Sequence, residues 1–91
     1  MTKDTSKVSF VLPAYNEVNN IAAMIRELSR SVEKYATCDY EVIVVDDGST
    51  DGTREEALKV VDGSRVKVFG YRDNVGKGFA VKYGVERASG N

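Results

Sequence analysis

The sequence predicts an α/β fold, a parallel sheet of three βα units with helices on both faces, and three observations predict it. Short β-branched and apolar runs alternate three times with segments of helical spacing. Each run ends abruptly in a polar stretch, at 13–17, 46–53 and 72–78. The first intervening segment repeats its apolar residues at intervals of three and four, which places them on one helical face. Alternation of this kind calls for right-handed crossovers and adjacent parallel strands.

Taken in order, Val8 to Leu12 is a compact apolar run, and Pro13 after it removes a backbone donor and predicts the strand's end. Val18, Ile21, Ala22, Ile25, Leu28, Val32 and Tyr35 then form the face of the first helix. Tyr40 to Val45 is the second strand, running into a loop from Asp46 to Thr53. Thr53 and Glu56 have capping-box spacing, and Ala57, Leu58 and Val61 give the short second helix an apolar face before Asp62 and Gly63 interrupt it. Val66 to Tyr71 alternates more and is placed nearer a sheet edge. Phe79 to Ala88 returns to helical spacing through Val81, Val85 and Ala88, and Ser89, Gly90 and Asn91 are its stop signal.

Composition excludes several classes of function. A chain of 91 residues, 42% hydrophobic, encloses one core at most. Thirteen basic against fourteen acidic residues leave no excess to neutralise a phosphate backbone, so no nucleic-acid partner is expected. There is no histidine, which removes Ser-His and Cys-His nucleophiles and the usual zinc sites. The single cysteine, Cys38, has no internal partner and fits a reducing, cytosolic setting. No apolar run approaches the roughly 18 residues of a membrane span.

In parallel sheets ligands gather at the carboxyl ends of the strands, so the three polar stretches should converge on one rim. Counting excludes three familiar loops there. Gly70 and Gly76 are too far apart for a P-loop, and Lys77 is followed by Gly78 rather than Ser or Thr. The stretch after the first strand holds no glycine for a dinucleotide fingerprint. An EF-hand reading from Asp47 fails at its twelfth position, Leu58.

What remains is a rim bearing Asp46 and Asp47, with Asp51 close behind. Ionised carboxylates only accept hydrogen bonds, which suits sugar hydroxyls and the N–H edge of a base. Asp47, Ser49 and Asp51 also read as ordinary turn and cap residues. Asp46, the first polar residue after the apolar run, is read as the ligand-binding acid and as the one that sets affinity. Tyr15 beside a strand end could stack on a base, or the stretch 13–17 could simply stop a strand and start a helix. Lys77 between two glycines is either a solvated turn lysine or a phosphate contact near a helix N-terminus.

Three blocks stand in order at the ends of three successive strands: V-L-P-A-Y-N-E at Val11 to Glu17, V-V-D-D-G-S-T-D-G-T at Val44 to Thr53, and N-V-G-K-G-F-A at Asn74 to Ala80. This set resembles the family 2 glycosyltransferases of the GT-A, Rossmann-like fold, most closely the dolichyl-phosphate and polyprenyl-phosphate mannose and glucose synthases. The resemblance runs from Val8 to Gly90. It implies that residues 1–91 are the N-terminal, nucleotide-sugar-binding part of a glycosyltransferase domain. It also implies that Pro13, Ala14, Tyr15, Glu17 and Asp46 hold the nucleoside, with Asp47 alongside, and that Lys77 lies near the phosphates, with Arg72 as a neighbour.

The resemblance further implies a donor such as GDP-mannose or UDP-glucose and a lipid-phosphate acceptor. It implies a divalent metal, Mg or Mn, held by an Asp-x-Asp motif on a fourth strand beyond Asn91, so this chain would hold none strongly. Catalytic groups would also lie beyond Asn91, and the 91 residues alone would be inactive. The setting implied is the cytoplasm or the cytoplasmic face of a membrane. Family topology gives the strand order 3-2-1 with the fourth beside the first, so an open first strand would invite self-association. Two other readings are a nucleotide-binding or scaffold module without catalysis, and a receiver-like phosphoacceptor domain built on the paired aspartates.

Overall fold

The computed structural model describes residues 7–35, 39–61 and 65–89. Three strands and three helices alternate: β1 (Lys7–Ala14), α1 (Ile21–Tyr35), β2 (Asp39–Asp47), α2 (Thr53–Leu58), β3 (Val66–Tyr71) and α3 (Lys77–Arg87). The strands form one parallel sheet in the order β1-β2-β3, as the alternation predicts. Cys38, Asp62, Gly63, Gly90 and Asn91, which figure in the sequence reading, lie outside the described residues.

The strands are longer than their apolar runs. β1 continues through Pro13, which pairs in register with Val45, and ends at Ala14 opposite Asp46. The sequence predicts that this proline stops the strand. It does not, because β1 is an edge of this sheet, where a residue whose N–H would face outward costs no ladder bond. β2 likewise runs through both aspartates, so Asp46 and Asp47 are strand residues paired with Gly70 and Tyr71.

The central strand is buried on both faces, and its alternation sorts the molecule into two layers. Tyr40, Val42 and Val44 face α1 and α2, where Ile21, Ile25 and Val32 from α1 and Ala57 from α2 join them in the larger core. Ile43 and Val45 face α3 in a smaller core with Ala80, Val11, Phe69 and Tyr83.

Two helices depart from expectation in detail. In α2 the capping box does not form: Thr53 is the first helical residue rather than the cap, and its hydroxyl is spent on Glu17 and Asp51. Leu58 and Val61 are exposed, and Val60 packs against the core in their place. In α3 Val85 points to solvent while Ala80 and Gly84 face the sheet. Close approach is the reason, since a Cβ on Gly84 would stand 2.5 Å from a Val11 methyl and 3.0 Å from one of Val45.

One buried charge lies within the apolar run of the second strand. Glu41 on β2 is fully buried, and its carboxylate accepts Ser9 Oγ at 2.6 Å, Ser89 N at 2.6 Å and Ser89 Oγ at 2.9 Å. Lys67 Nζ reaches it at 3.3 Å. Burial opposes its ionisation, yet the bonds from Ser9, Ser89 and Lys67 outweigh burial and lower its pKa from 4.5 to about 2. Glu41 thereby ties β1, β3 and the segment after α3 to the central strand.

A lowered folded-state pKa stabilises the fold above the unfolded value and is lost as pH falls through the folded one. Stability should therefore decline between about pH 4.5 and about pH 2. Glu41→Gln should cost about 2 kcal/mol at neutral pH and flatten that decline. Urea unfolding of both proteins across this range checks it, and parallel pH profiles would contradict it.

Candidate functional site

The three loops do converge at the carboxyl end of the sheet, and the hydrogen bonds that join them are specific. Asn16, in the left-handed region at φ 51°, is the hinge of the first loop. Its amide donates to Ser49 Oγ and its side-chain oxygen accepts Thr50 N, both at 2.9 Å. Glu17 N donates to Thr53 Oγ1 at 2.8 Å, and Val18 N to Asp51 Oδ2 at 3.2 Å. Asp51 also accepts Thr53 N at 3.1 Å. The Thr53 hydroxyl bond, then these amides, hold its carboxyl below the usual range. Asp51 is thus a turn residue, one before the Gly52 cap of α2, that accepts the first helical amide and ties the first two loops together.

Asp46 and Asp47 are both buried, but the pleat sends them to opposite faces of β2. Asp46 turns toward α2, accepting Ser49 N at 3.1 Å and the Arg54 Nε at 3.1 Å. Asp47 turns toward α3. Its Oδ1 accepts Tyr71 OH at 2.6 Å and Val75 N at 3.0 Å. Its Oδ2 accepts Asn74 Nδ2 at 2.7 Å and Gly76 N at 2.9 Å. Burial opposes ionisation of Asp47, but the bonds from Tyr71, Val75 and Gly76 prevail and hold its pKa below normal. Burial and then the bond to Asp47 push the Tyr71 phenol well above its ordinary value.

A cleft of about 440 Å³ opens beside Asp47, lined by Pro13, Ala14, Tyr15, Glu17, Met24, Asp47, Asn74, Gly76 and Lys77. Of the residues singled out from sequence, Pro13, Ala14, Tyr15, Glu17, Asp47 and Lys77 share it. Asp46 does not: with Ser49, Arg54, Tyr71 and Arg72 it lines a neighbouring polar cleft of about 260 Å³. The sequence favoured Asp46 over Asp47, and the structure puts Asp47 at the larger cleft. Met24, Asn74 and Gly76 were not singled out. Asn74 and Gly76 lie within the quoted N-V-G-K-G block, whereas nothing in the spacing of α1 points to Met24.

In chemical terms the cleft offers an exposed tyrosine ring, an acid acceptor in Glu17, and a lysine at the N-terminus of an 11-residue helix. Among the described residues, no group of three or more His, Cys, Asp or Glu is arranged to hold a metal ion. Among the same residues no helix is long and apolar enough to cross a membrane.

The family model described as Glycosyl transferase family 2 matches residues 9–91. The chain belongs to this family. Among curated glycosyltransferases, the mouse dolichyl-phosphate beta-glucosyltransferase is 41% identical, over 94% of this chain and 29% of its own length. The undecaprenyl-phosphate 4-deoxy-4-formamido-L-arabinose transferase of Pseudomonas fluorescens is 38% identical, over 92% of this chain and 25% of its own. The chain therefore spans less than a third of the length of these family 2 relatives.

Solved structures agree on the GT-A fold. A mannosyltransferase from Pyrobaculum calidifontis, in complex with GDP-Man and Mn2+, superposes with a TM-score of 0.79 at 23% identity, covering 96% of this chain and 26% of that one. Mannosyl-3-phosphoglycerate synthase from Rubrobacter xylanophilus gives 0.73 at 29% identity, covering 93% and 28%.

Gly48 is where this site admits no side chain. Its φ is +68°, and a Cβ would lie 2.3 Å from Asn74 N and 2.4 Å from the Asp73 carbonyl carbon, both backbone. Gly48→Ala should cost roughly 2–4 kcal/mol, through strain and displacement of the third loop. Chemical denaturation measures it, and an unchanged midpoint would contradict the close approach.

Proposed function

We propose that this chain is the nucleotide-sugar-binding part of a family 2 glycosyltransferase that moves a hexose, mannose or glucose, from a nucleoside diphosphate to an acceptor. The acceptor proposed is a polyprenyl or dolichyl phosphate, at the cytoplasmic face of a membrane. The observation that carries the reading is the cleft itself: Tyr15, Glu17, Asp47 and Lys77 come from three separate loops and line one cavity. Names of the relatives, one acting with dolichyl phosphate and one with undecaprenyl phosphate, support the acceptor class.

In this reading the Tyr15 ring supplies a stacking surface for the base. Glu17 accepts hydrogen bonds from base N–H groups or ribose hydroxyls. Asp47, its own acceptor sites taken by Tyr71, Asn74, Val75 and Gly76, shapes the wall of the cleft by holding the third loop. Lys77 and the N-terminus of α3 meet the diphosphate, since a helix start favours negative charge. Asp46 supports the rim from the other face of β2 and does not contact the nucleoside.

Donor-sugar transfer breaks the bond between the anomeric carbon and the diphosphate oxygen while the acceptor oxygen attacks. Negative charge then grows on the departing diphosphate, and Lys77 is the group on this chain placed to offset it. The described residues do not fit a divalent metal, because Asp46 is engaged by Arg54 and Ser49 and Asp47 by four donors.

Calorimetric titration with GDP, UDP, guanosine and uridine tests the assignment. Lys77→Ala should weaken the preferred diphosphate about 10-fold and leave its nucleoside unchanged, the loss expected for one charged hydrogen bond. Asp47→Ala should weaken both. Failure of the wild-type chain to bind any of the four, or equal losses on nucleoside and diphosphate for Lys77→Ala, would sink the reading.

A further inference from the structure

Arg54 does not line the larger cleft, yet its side chain bridges the ends of β2 and β3 beside it. From the second position of α2 it donates Nε to Asp46 Oδ2 at 3.1 Å and Nη2 to the Tyr71 carbonyl at 3.2 Å. The guanidinium lies over Gly70, where a Cβ would stand 2.4 Å from Nη2, 2.8 Å from Cζ and 2.9 Å from Nε. Any other residue at 70 would therefore occupy the place of this group.

Tyr71 is held from two sides. Arg54 fixes its carbonyl, while Phe79 and Tyr83 grip its ring edge-on, with centroids 5.2 and 5.0 Å away. The hydroxyl so placed donates to Asp47 Oδ1 at 2.6 Å. Arg54 also neutralises Asp46, the buried acid next in sequence to Asp47, and removing it would leave that charge without its cation.

We infer that Arg54 is a positioning residue for the nucleotide site, acting through Asp46 and the Tyr71 carbonyl to set the orientation of the Asp47 carboxylate without touching the ligand. The inference rests on the nucleotide reading of the cleft proposed above. Planar geometry is essential to the role, since two donors of one fork reach two acceptors on different strands. Lysine keeps the charge but lacks the fixed fork, so it can restore the pairing only in part.

The test uses the 91-residue chain with Arg54→Ala, Arg54→Lys and Gly70→Ala, each first checked for a native circular dichroism spectrum. Two quantities are read: GDP and UDP affinity by titration, and the ζ-carbon NMR resonance of Tyr71, assigned through Tyr71→Phe. Arg54→Ala should weaken the preferred nucleotide about 10-fold and shift the Tyr71 resonance. Arg54→Lys should recover part of both. Gly70→Ala should reproduce the Arg54→Ala effects with the positive charge still present, because it displaces the guanidinium rather than deleting it, and it decides the matter if Arg54→Ala fails to fold. Wild-type affinity and an unmoved Tyr71 resonance in Gly70→Ala or Arg54→Ala would overturn the role alone. A wild-type chain that binds neither nucleotide would overturn the site reading, and the role with it.

Discussion

The carboxylate of Asp47 collects donors from Tyr71, Asn74, Val75 and Gly76, and so the whole third loop is folded around one buried charge. Four donors fill the acceptor capacity of two carboxylate oxygens. The same charge sits before the N-terminus of α3, where the helix dipole favours it. Six residues earlier on the same face of β2, Glu41 takes Ser89 N and Oγ just past the other end of α3. The helix is strung between two buried carboxylates of one strand.

That suspension explains why α3 can carry a site. A surface helix held only by apolar packing would tolerate sliding; α3 lies close on the sheet at Ala80 and Gly84 and packs Phe79 and Tyr83 on Tyr71. The polar anchors at its ends add to this packing and fix its register. Lys77 and Gly76 are then placed at the cleft by the backbone, while Tyr15 and Glu17 are placed by the bonds of the first loop to Ser49, Thr50 and Thr53. The geometry of the rim is thus a consequence of how β2 ends.

Much of this was legible in the sequence. Alternating strand and helix signals give the sheet, and the three polar stretches give the rim, because ligand loops in parallel sheets follow the strands. The pairing of Asp46 with Arg54 and of Asp47 with the third loop was not legible. A strand buried on both faces shows no alternation of apolar and polar residues, so Val44 and Val45 give no hint which aspartate turns which way. For the same reason Glu41 hid inside an apolar run. The inward face of α3 was missed because its contact residues are small, and periodicity scored on Val81 and Val85 points elsewhere. Thr53 was read as a cap from local spacing, whereas its hydroxyl answers to Glu17, 36 residues away in sequence.

Amide hydrogen exchange in the wild-type chain and in Asp47→Asn tests most directly whether one carboxylate organises the rim. An asparagine keeps the shape but replaces one acceptor oxygen by a donor facing the same amides. Val75 and Gly76 should exchange at least about 10-fold faster in the variant, while the amides of Val42 to Val45 in the central strand keep their protection. Unchanged rates at Val75 and Gly76, or a uniform acceleration across the sheet, would contradict the account.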